Sequence, residues 1–194
     1  MKQGYLSVLL AGLLLSVSAA HAADTVVIGA SATPHGVVLE HIKPILAKQG
    51  VNLQIKVFSD YVQPNAQLVS KNLDANYFQY RPFLNDFNQK RGARLTAVVP
   101  VHIEPFVAYS KKLTSIGELK DGATVAIPND PVNGGRGILL LAKLNLIKLK
   151  PGFDQLKTPE DKLPTVKDIA DNPKQLKIKE LESAILPRAP TSSA

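Results

Sequence analysis

The chain has 194 residues, a net charge of +7, 45% hydrophobic and 20% charged residues, and no cysteine. That balance is globular rather than disordered. The missing thiols exclude disulfides, thiolate metal sites, a thiol nucleophile and a lipid-modified N-terminal cysteine, and the diffuse basic charge favours acidic surfaces in general, so no nucleic-acid partner is expected.

Residues 1–22 read as a secretory signal peptide: Lys2, an apolar run from Tyr5 to Val17, then Ala20-His21-Ala22 as a small-x-small cleavage site. The run is shorter than the roughly 20 residues that a membrane-spanning helix needs, and no second long apolar run follows. Removing residues 1–22 leaves 172 and takes away one positive charge, Lys2, so the net charge falls from +7 to +6. The expected product is exported to the periplasm without a lipid anchor. Its length suits one domain or two small lobes.

Beyond the leader, strand and helix signals alternate. Thr25–Ala30 is a β-branched run, hence a buried strand. Thr33-Pro34 predicts an N-cap with proline at the first helical position. Val38, Ile42, Ile45 and Leu46 share a helix face, Pro44 predicts a kink, and Gly50 a stop. Leu53, Ile55 and Val57 alternate with polar residues, a half-buried strand. Residues 61–65 turn into a helix near Leu68, Ala75–Tyr80 is a strand candidate, and Pro82 opens a helix carrying Phe83, Leu84 and Phe87. Leu95–Val101 and Phe106–Ser110 read as two further strands. Then come a short helix at Ser115–Leu119, a strand at Ala123–Ile127 and a buried helix at Gly134–Leu144. Thr165 with Asp168 makes a weak capping box for a helix that Asn172-Pro173 ends. Leu176–Leu181 is a last strand. Residues 189–194 are small, polar and Pro/Ser-rich and read as a disordered tail. The alternation predicts an α/β fold with largely parallel sheets.

Searches for catalytic chemistry return little. Gly29 and Gly36 lack dinucleotide spacing, and neither a phosphate-binding GxxxxGK[ST] loop nor a GxSxG elbow occurs. His35 and His41 are six residues apart, on different faces of a helix, which argues against a metal pair. No cofactor, no metal and no catalysis are expected. Two features do carry chemistry. Residues 129–137 (NDPVNGGRG) follow a strand and open a helix, so glycines, a helix N-terminus and Arg136 could hold a small anion. The same residues also suit a plain Gly-rich turn with Arg136 in solvent. Tyr61, Tyr77, Phe78, Tyr80 and Phe83 crowd turn-flanking positions, as an apolar slot or as ordinary core.

Six segments make the chain resemble the methionine-binding lipoprotein family of the MetQ/NlpA type, substrate-binding subunits of bacterial methionine ABC importers. They are Phe58–Asn65 (FSDYVQPN), Leu73–Tyr80 (LDANYFQY), Val101–Pro105 (VHIEP), Tyr109–Lys112 (YSKK), Ala126–Pro131 (AIPNDP) and Leu186–Arg188 (LPR). The resemblance runs from about Val26 to Arg188. It implies a bilobed periplasmic-binding-protein fold of type II-like organisation, with residues 23–105 in the first lobe and 106–188 in the second. It also implies methionine, D or L, or a similar amino acid in the cleft, and an importer's membrane subunits as partner. The family's aromatic pocket falls on Tyr61, Phe78, Tyr80 and His102. Its carboxylate-binding arginine falls on Arg136, with Asn133 on the same clamp.

The chain departs from the family in three ways. Tyr80 stands where the family usually has His. The lipid-bearing Cys is missing. The family continues after Leu-Pro-Arg with a return crossing and asparagines for the ligand's ammonium group, so the fold is expected to be incomplete at the C-terminus. The resemblance thus implies either a solute-binding protein or its truncated remnant, with weak or no methionine binding by the chain as it stands. The competing reading, of a different class, is a cationic envelope or adhesive protein that uses the fold without a working cleft.

Overall fold

A computed structural model describes residues 24–154 and 157–188; the leader and the tail lie outside them. β1 (Asp24–Ser31) is the centre of a three-stranded parallel sheet, with β2 (Val51–Phe58) on one side and β3 (Ala75–Tyr77) on the other. Val26, Val27 and Ile28 are half-buried, and β1 becomes fully buried only at Gly29–Ser31, near the stretch that has β3 as well as β2 beside it. Gly29 is required there, because an added Cβ would lie 2.6 Å from a Leu73 methyl and 2.9 Å from the Phe58 ring.

β1 leaves through a wide helical turn at Ala32–Gly36 into α1 (Val37–Ala47). Thr33 keeps extended backbone (φ −135°, ψ 133°), and the Thr33–Pro34 peptide is cis. The α-helix proper therefore starts later than the Thr-Pro signal suggested. Its buried stripe is Leu39, Ile42 and Leu46, packed on Ala30, Leu53, Ile28 and Ile55, while Ile45 is half exposed. Pro44 does not end the helix. It sits on the exposed side, where the carbonyl it leaves unpaired can face water. In β2 the expected alternation holds for Leu53 and Ile55, but Val57 is 57% exposed.

After β2, the Asp60 carboxylate accepts from the Val62 and Gln63 N–H groups, both at 2.8 Å, and starts α2 (Gln63–Val69). β3 is shorter than expected and ends at Tyr77. The cause lies in Asn65, fully buried in α2. Its Nδ2 donates to Gln79 Oε1 (2.8 Å), and its Oδ1 accepts from Gln79 Nε2 (2.7 Å) and Asn76 Nδ2 (2.8 Å). This amide network turns the chain after Tyr77 and makes Tyr80 the residue before α3 (Arg81–Arg91), with proline in its first turn. Gly92, at φ +61°, closes α3, and Asn88 clasps both backbone groups of Leu95.

The two strands expected at Leu95–Val101 and Phe106–Ser110 do not form; residues 93–110 carry no regular structure. Val98 and Ile103 are 91% and 96% exposed. Strand propensity expresses itself only against a hydrogen-bonding neighbour, and among the described residues no strand pairs with this segment.

The second half has its own core. β4 (Thr124–Pro128) pairs in parallel with β7 (Lys177–Leu181), and α4 (Pro131–Lys143) covers them. Ile127, Ile138, Leu141, Leu146, Ile147 and Leu176 form the core. An antiparallel pair, β5 (Lys148–Leu149) and β6 (Ile169–Asp171), was not foreseen. The Thr165–Asp168 capping box is present, but it caps a single 3-10 turn at Val166–Asp168, and β6 replaces the expected helix end. Ser115–Leu119 likewise shrinks to a 3-10 turn at Ile116–Glu118. α3 packs against α4 and joins the two halves.

The glycines of α4 serve packing. A Cβ on Gly134 would meet the Pro128 carbonyl oxygen at 2.7 Å, and one on Gly135 the Leu163 Cβ at 2.5 Å. Gly135→Ala is therefore expected to destabilise. Overpacking costs about 1–3 kcal/mol, and the helix propensity gained returns about 1 kcal/mol. The net cost is up to about 2 kcal/mol, so a melting temperature lower by up to about 8 °C, followed by circular dichroism, is the expected result. An unchanged or raised value would mean that the 163–164 segment yields.

Candidate ligand-binding site

α4 starts three residues earlier than its sequence pattern suggested. Pro131 takes the first turn, and Asp130 is the N-cap, its Oδ1 accepting from Asn133 N at 2.8 Å. Two expectations change. The anion at this helix start is the chain's own Asp130 carboxylate, held also by Asn133 Nδ2 (3.0 Å) and Ser183 Oγ (3.0 Å). The glycines are filled by the protein's own atoms, so they open no path for a ligand. Arg136 falls in the second turn and is the cationic group that remains.

Arg136 packs on two rings. Its guanidinium carbon lies 4.8 Å from the centroid of Tyr80 and 4.8 Å from that of Phe106. Aromatic rings at this distance attract the cation electrostatically. A guanidinium can pair with a carboxylate in bidentate geometry. Among the described residues no acidic side chain pairs with it. Tyr80 OH donates to Asn133 Oδ1 at 2.8 Å, so Tyr80, Asn133 and Arg136 form one contact set that bridges α3 and α4.

Tyr61 and Phe78 form a second set with Phe83. The ring centroids are 5.9 Å apart for Tyr61–Phe78 and Phe78–Phe83 and 6.4 Å for Tyr61–Phe83, in edge or tilted arrangements. Phe78 is buried. Burial pushes the Tyr61 phenol above its ordinary pKa, and the fields of Glu104, Glu182 and Asp130 push it further. An apolar surface thus borders a region of negative potential.

His102 belongs to a third set. Its Nδ1 hydrogen-bonds Tyr77 OH at 2.6 Å and its Nε2 faces Glu104 Oε1 at 3.1 Å. His35 packs beside it, with ring centroids 5.2 Å apart. Burial holds the His35 pKa below its ordinary value; the Glu104 charge opposes this and His102 adds to it. The structure therefore joins His35 to His102, across 67 positions, rather than to His41. Sequence reasoning also missed Phe106, whose signal was an aromatic residue immediately after the matched segment VHIEP.

The scaffold is a mixed α/β fold, and comparison with known proteins places it. A model of the NlpA lipoprotein family matches residues 26–193, and the chain belongs to that family. The D-methionine-binding lipoprotein MetQ of Escherichia coli (strain K12) is 47% identical over 142 residues, which are 73% of this chain and 50% of that protein. Lipoprotein 28 of the same organism is 48% identical over 141 residues, 73% of this chain and 49% of the relative. Among solved structures, a nutrient-binding protein from Burkholderia cenocepacia bound to methionine superposes with a TM-score of 0.76 at 43% identity. That match covers 84% of this chain and 66% of the other. The chain thus spans about half the length of these relatives. No helix among the described residues is long and apolar enough to cross a membrane.

Proposed function

We propose that this chain is a solute-binding subunit for methionine, D or L, or a closely similar amino acid, and that it delivers the ligand to the membrane subunits of an ABC importer outside the cytoplasm. The observation that carries this reading is Arg136, packed on Tyr80 and Phe106 without an acidic partner among the described residues. The ligand carboxylate takes its guanidinium, with Asn133 and the Tyr80 hydroxyl beside it. The side chain lies on Tyr61 and Phe78, where sulfur–aromatic contacts contribute roughly 0.3–1.5 kcal/mol each. The ammonium group faces the negative region around Asp130 and Glu104. His102 closes the margin of the pocket. No bond is made or broken: the two halves close on the ligand by a hinge motion.

Names of relatives support the choice of methionine, and the charge pattern supports an amino acid as such. Titration with methionine, followed by tyrosine fluorescence and by melting temperature, tests it. A ligand at 100 times its Kd stabilises by about 2.7 kcal/mol. A saturable rise with methionine and none with glutamate is expected. Salt-dependent association with anionic surfaces, and no methionine response, would favour an envelope protein with an idle cleft.

Phe106 offers a finer test, because it is the group that only the structure revealed. Phe106→Ala removes one of the two rings on which Arg136 packs, a contact worth about 0.5–2 kcal/mol. The methionine Kd is expected to rise by about 2- to 30-fold in calorimetry, and Phe106→Tyr should restore it. An unchanged Kd would mean that Arg136 is oriented without that ring.

A further inference from the structure

Three side chains, two of which border the proposed amino-acid pocket, carry a second chemistry. We propose that His35, His102 and Glu104 form a three-ligand site for a divalent transition ion of the zinc type, which ties the irregular 93–110 segment to the end of the first sheet.

One ligand atom from each of the three residues lies within 4.8 Å of the others. A tetrahedral zinc ion with bonds of about 2.0–2.2 Å holds its ligands slightly over 3 Å apart, so a small inward movement completes the set. His102 Nε2 and Glu104 Oε1 already stand at 3.1 Å. The supporting contacts are the more specific observation. His35 Nδ1 faces Ser31 Oγ at 2.6 Å, and His102 Nδ1 faces Tyr77 OH at 2.6 Å. Each imidazole thus has an oxygen on Nδ1, which can fix the tautomer and leave Nε2 as the metal-binding lone pair. Tyr77 also packs edge-on against His35 at 4.6 Å and orients that ring. His35 is 7% exposed and sits in the turn that ends β1, so one ligand is rigidly placed. His102 and Glu104 are exposed, so an ion can reach the site from solvent.

Two imidazoles and one carboxylate suit zinc, cobalt or nickel, whereas calcium and magnesium take all-oxygen sets. Three protein ligands leave a fourth position for water. The consequence for the fold is mechanical. Residues 93–110 have no strand partner among the described residues, and an ion at 102 and 104 would anchor their middle.

The test uses untagged protein in metal-free and methionine-free buffer, titrated with zinc by calorimetry and with cobalt by visible absorption. One zinc per chain, an intense tetrahedral cobalt band between about 500 and 650 nm, and slower proteolysis within residues 93–110 are expected. Glu104→Gln and His35→Gln should each weaken zinc binding at least tenfold. Tyr77→Phe, which removes only a supporting oxygen, should weaken it about 10- to 100-fold. His41→Gln should change nothing. Glu104 is exposed, so its variant keeps the fold, and an unchanged melting temperature without metal checks this. Absence of zinc binding tighter than about 100 µM, or binding that survives both Glu104→Gln and His35→Gln, would overturn the proposal. Because His102 also borders the proposed methionine pocket, zinc is scored without methionine. A chain that takes zinc but no methionine leaves this inference standing and removes the other.

Discussion

In a chain restored to the length of its relatives, Arg136→Ala is expected to raise the methionine Kd by about 10- to 150-fold. The variant loses a charge-assisted bidentate hydrogen bond, and bonds to charged groups contribute about 1.5–3 kcal/mol, with tenfold in Kd per 1.4 kcal/mol. The fold should tolerate the change. Arg136 is only partly buried, and among the described residues it makes no ion pair whose partner would be stranded. Lysine at this position should recover only part of the affinity. Its ammonium restores charge but lacks the planar fork. Calorimetry on the three proteins separates these effects, with melting temperature as a check on folding. Equal Kd values for wild type and Arg136→Ala would move the carboxylate elsewhere.

Asn65→Ala should cost about 2–4 kcal/mol of stability. Asn65 is completely buried, and among the described residues its amide is the hydrogen-bond donor to Gln79 Oε1. Stranding a buried polar group costs about 1–3 kcal/mol, and the lost amide volume adds a cavity term. Asn76 and Gln79 keep one bond to each other at 3.1 Å, so the network is weakened rather than erased. In a protein of this size the melting temperature should fall by about 4–16 °C. Methionine affinity should fall too, because the same network positions Phe78 and Tyr80. Asn52→Ala is the control. Its bond to Thr25 Oγ1 is exposed, so its effect should stay within about 0.5 kcal/mol. A small effect at Asn65, matching the control, would show that the turn after β3 is held by something else.

Some of this was legible in residue order and some was not. β1, β2 and α4 announce themselves by β-branched runs and apolar periodicity. Their cores form within short stretches of chain, so local pattern and tertiary packing agree. The 93–110 segment shows the opposite case. Val98, Val99, Val101 and Val107 have strand propensity, yet propensity supplies no neighbour, and register is a tertiary property. β3 failed for a subtler reason. Nothing local in Ala75–Tyr80 says that Asn65, ten residues earlier, will capture Gln79 and end the strand. Arg136, Asn133 and Tyr80 were nominated through the family resemblance, and the structure brings them into one contact set; of the two readings of the glycines, the plain turn is the one their packing fits. They accommodate Pro128 and Leu163, a contact that only the folded chain creates. The apolar pattern began the helix at Gly134 and left Asp130 unassigned; the bond from Asn133 N makes it the N-cap. His35 was weighed only against His41, and that pairing was rejected on helix geometry; its actual neighbour, His102, arrives from a distant loop that periodicity does not see.

The most direct test of the central reading is a calorimetric titration, with L- and D-methionine, of the chain restored to the length of its relatives. Binding at one site per chain, saturable, abolished or strongly weakened in Arg136→Ala, and accompanied by a rise in melting temperature, is the expected result. No heat and no shift in melting temperature up to 10 mM of either isomer would contradict it, and would mean that Arg136, Tyr80 and Phe106 are packed together for stability alone.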